Sequence, residues 1–209
     1  HRVDRRQRQM CIRDRAVGAD IVFLQEVTGA HTRHASRVAD WPAASHYEFL
    51  ADTIWPQYAY GRNAVYPSGD HGNAILTKFP IERHLNHDVS IAGPERRGLL
   101  HCELRAPGFD RPLHVICAHL GLAENHRRKQ LEMMCAIIRN DVPPDAPIIV
   151  AGDFNDWRRH AHRILKDGAD LDEVFLTANG RSARTFPAKF PVLACLLYTS
   201  DAADDLLCV

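Results

Sequence analysis

Pro147-Ile-Ile-Val-Ala-Gly-Asp-Phe-Asn-Asp156 decides how this chain reads. A short apolar, β-branched run such as Ile148 to Ala151 is what a buried strand looks like, and it stops abruptly at a glycine, two acids and an amide. The same pattern occurs twice upstream. Leu113-His-Val-Ile-Cys-Ala-His119 closes on an imidazole, and Asp20-Ile-Val-Phe-Leu-Gln25, expected to be buried on both faces, is followed by Glu26. Further strands are expected at Asn73 to Thr77 (stopped by Phe79-Pro80), Ile81 to Val89 and Gly98 to Leu104. Helices are expected at about Ala30 to Ala39, Glu124 to Asn140 and Arg158 to Lys166. In the second, Leu131, Met134, Cys135 and Ile138 recur at helical spacing and Pro143-Pro144 ends the run. Without repeats or a low-complexity linker, this is one α/β domain.

Polar groups at the ends of apolar strands can face a cleft while their backbone is held by a sheet, which is how a site is preorganised. Glu26, His119, Asp153 and Asn155 occupy such ends. Carboxylates with an amide and an imidazole suit a hard cation and phosphate chemistry. Oxygen ligands hold Mg²⁺, and neighbouring side chains orient an attacking water.

The two ends read differently from the body. The codons ATG TGT ATA AGA GAC AG encode Met10 to Arg15, and their reverse complement in another frame encodes Cys195 to Thr199. The flanks Arg5 to Gln9 and Ser200 to Asp204 are related in the same way. Residues 1–15 and 195–209 therefore resemble a sequencing-library adapter translated at both ends, and are expected to be non-native. A basic arm and an acidic tail are the alternatives. The whole chain of 209 residues balances 26 Lys and Arg against 26 Asp and Glu. Residues 16–194 alone carry 20 basic and 21 acidic side chains, a net of −1. Nucleic acid as a partner is open on that charge but unsupported by it. Of six cysteines the body keeps Cys102, Cys117 and Cys135, which read as small buried hydrophobes rather than a disulfide framework. No apolar run approaches the roughly 20 residues of a membrane span, and a cytoplasmic location is favoured, although a signal peptide would lie outside the body.

Asp20 to Glu26, Gly72-Asn-Ala-Ile-Leu-Thr-Lys-Phe-Pro-Ile81, His114-Val-Ile-Cys-Ala-His-Leu120 and Gly152-Asp-Phe-Asn-Asp156 come in the order that marks the endonuclease/exonuclease/phosphatase superfamily, which the chain resembles over nearly all of its body. Glu95-Arg-Arg-Gly98 and Thr185-Phe-Pro-Ala188 are similar to its small bacterial members. The resemblance implies a four-layered α/β sandwich, with two mixed sheets packed face to face, helices outside, and both ends truncated. It implies Mg²⁺ (Mn²⁺ as the alternative) held by Glu26, and His119 hydrogen-bonded to the scissile phosphate. Asp153 would activate the water, with Asn155 positioning Asp153 and the phosphate, while Asn73, His71 and Arg97 would line the cleft. A metal-supporting Asn upstream, and an Asp and an Asp-His pair downstream, would fall outside residues 16–194. The chain as written is thus expected to be nearly inactive, although its parent is an enzyme, and to be weakly stable.

Each residue also has a plainer reading. Glu26 could be a helix-start acid, Asp153 and Asn155 a turn pair, His119 a core histidine, His71 a loop residue, and Arg96-Arg97 a solvated pair. His126-Arg-Arg-Lys129, opening a helix, reads as a solvated face, with a phosphate contact as its functional alternative. The expected reaction is metal-dependent hydrolysis of a phosphate ester, with a phosphodiester favoured. The alternatives are a lipid phosphodiesterase of sphingomyelinase type and a binding module that lost catalysis. The oligomeric state is not legible.

Overall fold

Six successive buried residues, Gly72 to Thr77, make β3 (Gly69–Thr77) the centre of a three-stranded sheet. A strand flanked on both edges and covered on both faces needs such a continuous apolar run. β1 (Ile21–His31) and β2 (Gln57–Tyr66) pair with it antiparallel in the order β1-β3-β2. The computed structural model describes residues 18–31, 45–51, 55–156, 160–180 and 197–199.

The second sheet contains β4 (Ile81–Asp88), β5 (Gly98–Leu104), β6 (Leu113–His119), β7 (Ile148–Asp153), β8 (Asp172–Glu173) and β9 (Leu197–Thr199). Their order is β4-β5-β6-β7-β9-β8. The β6–β7 pair is parallel because α2 (Glu124–Asp141) carries the chain back across the sheet between them. Leu131, Met134, Cys135 and Ile138 form the buried stripe of α2, as their spacing predicts.

The layers follow from which face each strand buries. Leu100, Cys102, Leu104, Leu113, Val115 and Cys117 point from the second sheet onto Ala59 and Ile75 of the first, forming the inter-sheet core. On its other face the second sheet packs Leu99, Ile116, Ala118 and Val150 beneath α2 and α3 (Ala161–Ala169). The outer face of the first sheet buries Leu24, Ala74 and Leu76 with Trp55 and Ala51, the last in α1 (His46–Ala51). Helix, sheet, sheet, helix is the four-layered sandwich that the sequence implies. A short α4 (Val174–Asn179) follows β8.

Several boundaries differ from expectation. β1 is not buried on both faces: among its described side chains only Leu24 and Val27 are fully buried, because it forms one edge of its sheet. It also runs on through Ala30 to His31, where a helix was expected, because β3 continues to pair with it as far as Gly69. The rest of that expected helix, residues 32–39, lies outside the described residues, as do Thr185 to Ala188 and Phe190 to Ala194. α3 begins at Ala161 rather than Arg158, and residues 157–159 are likewise outside. β9 falls in the end read as translated adapter. It pairs with β7 through Ile149↔Thr199, Val150↔Tyr198 and Ala151↔Leu197. Leu, Tyr and Thr suit a strand, and the open edge of β7 offers backbone groups to any such segment.

Candidate active site

Parallel pairing of β6 and β7 sets His119 opposite Asp153 at the ends of their strands. Beyond that point the two chains stay tied: the Leu120 amide donates to the Asp153 carbonyl at 2.9 Å. Asn155 fastens both segments, its Nδ2 donating to the Leu120 carbonyl at 2.9 Å and its backbone N–H to Asp153 Oδ1 at 3.0 Å. Asn155 adopts φ 49°, a left-handed conformation that asparagine tolerates better than most residues. The neighbouring Asp156 is buried and accepts the Ala161 amide at 2.7 Å, so it serves the start of α3 rather than the cleft.

Glu26 reaches the same region from the other sheet. In the β1–β3 register Leu24 faces Ala74 and Val27 faces Gly72, so Gln25 and Glu26 together oppose the single residue Asn73. This is a β-bulge, and Glu26 within it takes φ 55° and is exposed. Bulges of this kind re-aim a side chain next to a site. Asn73 is fully buried, its Nδ2 crossing between sheets to donate to the carbonyls of Gly98 (2.9 Å) and Cys117 (3.2 Å). Its Oδ1 is buried and has no hydrogen-bond partner among the described residues. Gln25 makes a parallel link, donating to Cys117 Sγ at 3.3 Å.

Arg97 lies just before β5, with its guanidinium mostly buried and 2.8 Å from Glu95 Oε1. Burial of His119, reinforced by Arg97, holds its imidazole below the usual histidine range against the opposing pull of Asp153, Glu26 and Glu95. His119 is therefore surrounded by one cation and three carboxylates, and is neutral at pH 7. His71 stands two residues from Asn73 on β3, with its ring stacked on Tyr66 at 5.4 Å. Of the seven residues singled out in the sequence, Glu26, Asn73, Arg97, His119, Asp153 and Asn155 converge, whereas His71 is engaged with Tyr66 and, among the described residues, no hydrogen bond or ion pair joins it to the others.

Three further residues support the site, a role the sequence does not assign them. Glu95 holds Arg97 and accepts the Leu122 amide at 3.4 Å. Gln130, buried in α2, accepts the Gly121 amide at 2.8 Å and donates to the Val89 carbonyl at 3.2 Å. Arg127, read as part of a solvated face, is instead buried, with Nη1 donating to the carbonyls of Gly121 and Leu122. All three hold the loop that follows His119. A polar residue on the apolar side of a helix, as Gln130 is, was the available signal.

An exposed glutamate, a half-buried aspartate, a buried amide oxygen without a partner and a neutral imidazole form a donor set rich in oxygen. It fits a hard divalent cation, whose charge or bound water would satisfy Asn73 Oδ1.

Comparisons with known proteins agree with this fold. "Uncharacterized protein YbhP" of Escherichia coli is 56% identical over 179 residues, covering 86% of this chain and 70% of that protein. An endonuclease/exonuclease/phosphatase structure from Beutenbergia cavernae superposes with TM-score 0.69 at 17% identity, over 94% of this chain and 59% of its own length. The chain thus spans less than two thirds of that protein. D. rerio TDP2 complexed with single strand DNA product superposes with TM-score 0.64 at 20% identity, over 96% of this chain and 78% of that one. The family described as "Endonuclease/Exonuclease/phosphatase family" matches residues 8–194, a span that holds Glu26, Asn73, Arg97, His119, Asp153 and Asn155. With its fold, its ordered motifs and this match in agreement, the chain belongs to the endonuclease/exonuclease/phosphatase family.

Proposed function

We propose that the chain is the core of a divalent-metal-dependent phosphoesterase that hydrolyses a phosphodiester by in-line attack of water. The observation that carries this reading is the pairing of His119 with Asp153 on adjacent parallel strands, facing the bulge that presents Glu26 opposite Asn73. Glu26, in the bulge that opposes Asn73, would hold Mg²⁺ or Mn²⁺. When bound, the ion would stabilise negative charge developing on the phosphoryl oxygens.

The remaining steps belong to the chain's own residues. The Asp153 carboxylate, its angle fixed by the Asn155 backbone amide on Oδ1, takes a proton from the water as its oxygen bonds to phosphorus. The ester P–O bond in line with it breaks, and the released alkoxide takes a proton from solvent. His119, neutral and buried, donates a ring N–H to a non-bridging phosphate oxygen, and Arg97 adds positive charge on the same side. Residues 16–194 are proposed as the native family domain; the family match ends at residue 194 but begins at residue 8, within the stretch read as adapter. A DNA or RNA phosphodiester is one candidate substrate, as the TDP2 complex with DNA illustrates for a protein of the same fold.

The test is hydrolysis of bis(p-nitrophenyl) phosphate with Mn²⁺, together with Mn²⁺ binding followed by electron paramagnetic resonance. Slow metal-dependent turnover is expected, falling roughly 10²–10³-fold with Asp153→Ala. Glu26→Gln should weaken Mn²⁺ binding. Turnover indifferent to Asp153→Ala, or Mn²⁺ binding indifferent to Glu26→Gln, would overturn the assignment.

A further inference from the structure

A second cluster of ligating side chains lies beneath the far end of α2. α2 begins beside the candidate active site, where Arg127 grips the loop after His119, and ends at Asp141. At the helical rise of about 1.5 Å per residue, Asp141 is roughly 20 Å along the axis from Arg127. There the helix meets His87 of β4 and His101 of β5, whose strands pair at Leu85↔His101 and His87↔Leu99.

We propose that His87, His101 and Asp141 form a binding site for a borderline divalent cation of the Zn²⁺ type, separate from the phosphate-ester centre. One potential ligand atom from each of the three lies within 4.8 Å of the others. The Nε2 of His87 is buried without a hydrogen bond and stands 3.6 Å from Asp141 Oδ2, too far for a hydrogen bond but close for two ligands of one ion. The His87 and His101 rings are stacked with centroids 6.1 Å apart. His101 is supported by His114, its Nε2 lying 2.9 Å from His114 Nδ1, so Nδ1 of His101 would be the nitrogen offered to the ion. A metal-binding histidine needs this kind of partner on its other nitrogen, which fixes the ring and its tautomer.

The donor set selects the ion. Two imidazoles and one carboxylate, with the fourth position left to water, suit Zn²⁺, whereas Mg²⁺ prefers oxygen alone. Ligand atoms around tetrahedral Zn²⁺ sit roughly 3.3 Å apart, so side-chain rotations of about 1 Å would close the site. A small cavity lined by His101 and Asp141, among others, lies beside the cluster. Arg83 also lines that cavity, but its guanidinium is engaged by Glu103 at 3.4 Å. The bound ion would clip the edge strand β4 and its neighbour to the end of α2.

The experiment is Co²⁺ titration of the full chain in millimolar Mg²⁺, read by the visible absorption of tetrahedral Co²⁺, with Zn²⁺ competition and thermal melting. One equivalent of tetrahedral Co²⁺ is expected, displaced by Zn²⁺. It should persist in Glu26→Gln and Asp153→Asn, and its affinity should fall by roughly 100-fold or more in His87→Ala and Asp141→Asn. Zn²⁺ should raise the melting temperature of the parent and of Glu26→Gln, but not that of Asp141→Asn. His87 and Asp141 are both partly exposed, so these variants should fold. Retention of the Co²⁺ signal in both His87→Ala and Asp141→Asn overturns the proposal. So does its loss in Glu26→Gln, or the absence of any tetrahedral signal in the parent.

Discussion

Glu26 is held where a glutamate is uncomfortable. Its φ of 55° costs a residue with a Cβ about 1 kcal/mol or more relative to glycine, and its side chain repays none of that through a local hydrogen bond as an asparagine can. Glu26→Gly should therefore raise stability in urea denaturation by about 0.5–1 kcal/mol while weakening Mn²⁺ binding. If stability fell instead, the strain at the bulge would be absent. Two thiols near the site tell the opposite story. Burial pushes Cys102 and Cys117 up to about 12, and both are fully enclosed between the sheets. A raised pKa means almost no thiolate at neutral pH. Neither should be alkylated by iodoacetamide at pH 8 until the protein is unfolded, as peptide mass spectrometry would read.

At the scale of elements, the approach of β7 to β6 depends on one glycine. Gly152 has φ 145°, and a Cβ there would lie 2.0 Å from the Ala118 carbonyl oxygen. Gly152→Ala should cost roughly 3 kcal/mol or prevent folding, whereas Gly108→Ala, in open space at φ 86°, should cost only about 1 kcal/mol. Comparable thermal melts for the two variants would contradict this. The elements also differ in how far they could be read in advance. α2 was legible because its apolar spacing is a local property of the chain. The end of β1 was not, since the bulge at Gln25-Glu26 breaks the alternation and pairing with β3 carries the strand on to His31. β2 went unnoticed altogether: Arg62 and Asn63 interrupt its apolar residues, and β3 supplies the pairing that makes it a strand.

For the molecule as a whole, the inter-sheet core carries both the stability and the site, because Glu26 and Asn73 belong to one sheet and His119 and Asp153 to the other. Leu100 is fully buried in that core. Leu100→Ala should destabilise by about 2–5 kcal/mol, while Leu85→Ala, on the exposed edge strand, should change stability by less than about 0.5 kcal/mol. Equal effects in chemical denaturation would show that the sheets do not depend on this contact.

The sequence by itself determined that strands end in His119 and Asp153 and that polar residues break the apolar runs at Glu26 and Asn155, because such a break is written locally, although β1 carries on past Glu26 through a bulge. It also determined the order of motifs that marks the family. Only the tertiary structure decided that His119 and Asp153 stand side by side, that Asn73 bridges the sheets, and that Arg127 and Gln130 serve the loop after His119 instead of solvent. It alone gathered His87, His101 and Asp141, which are distant in the chain and carry no shared motif. Register, bulge and helix packing are relations between segments, and no window of sequence contains both partners.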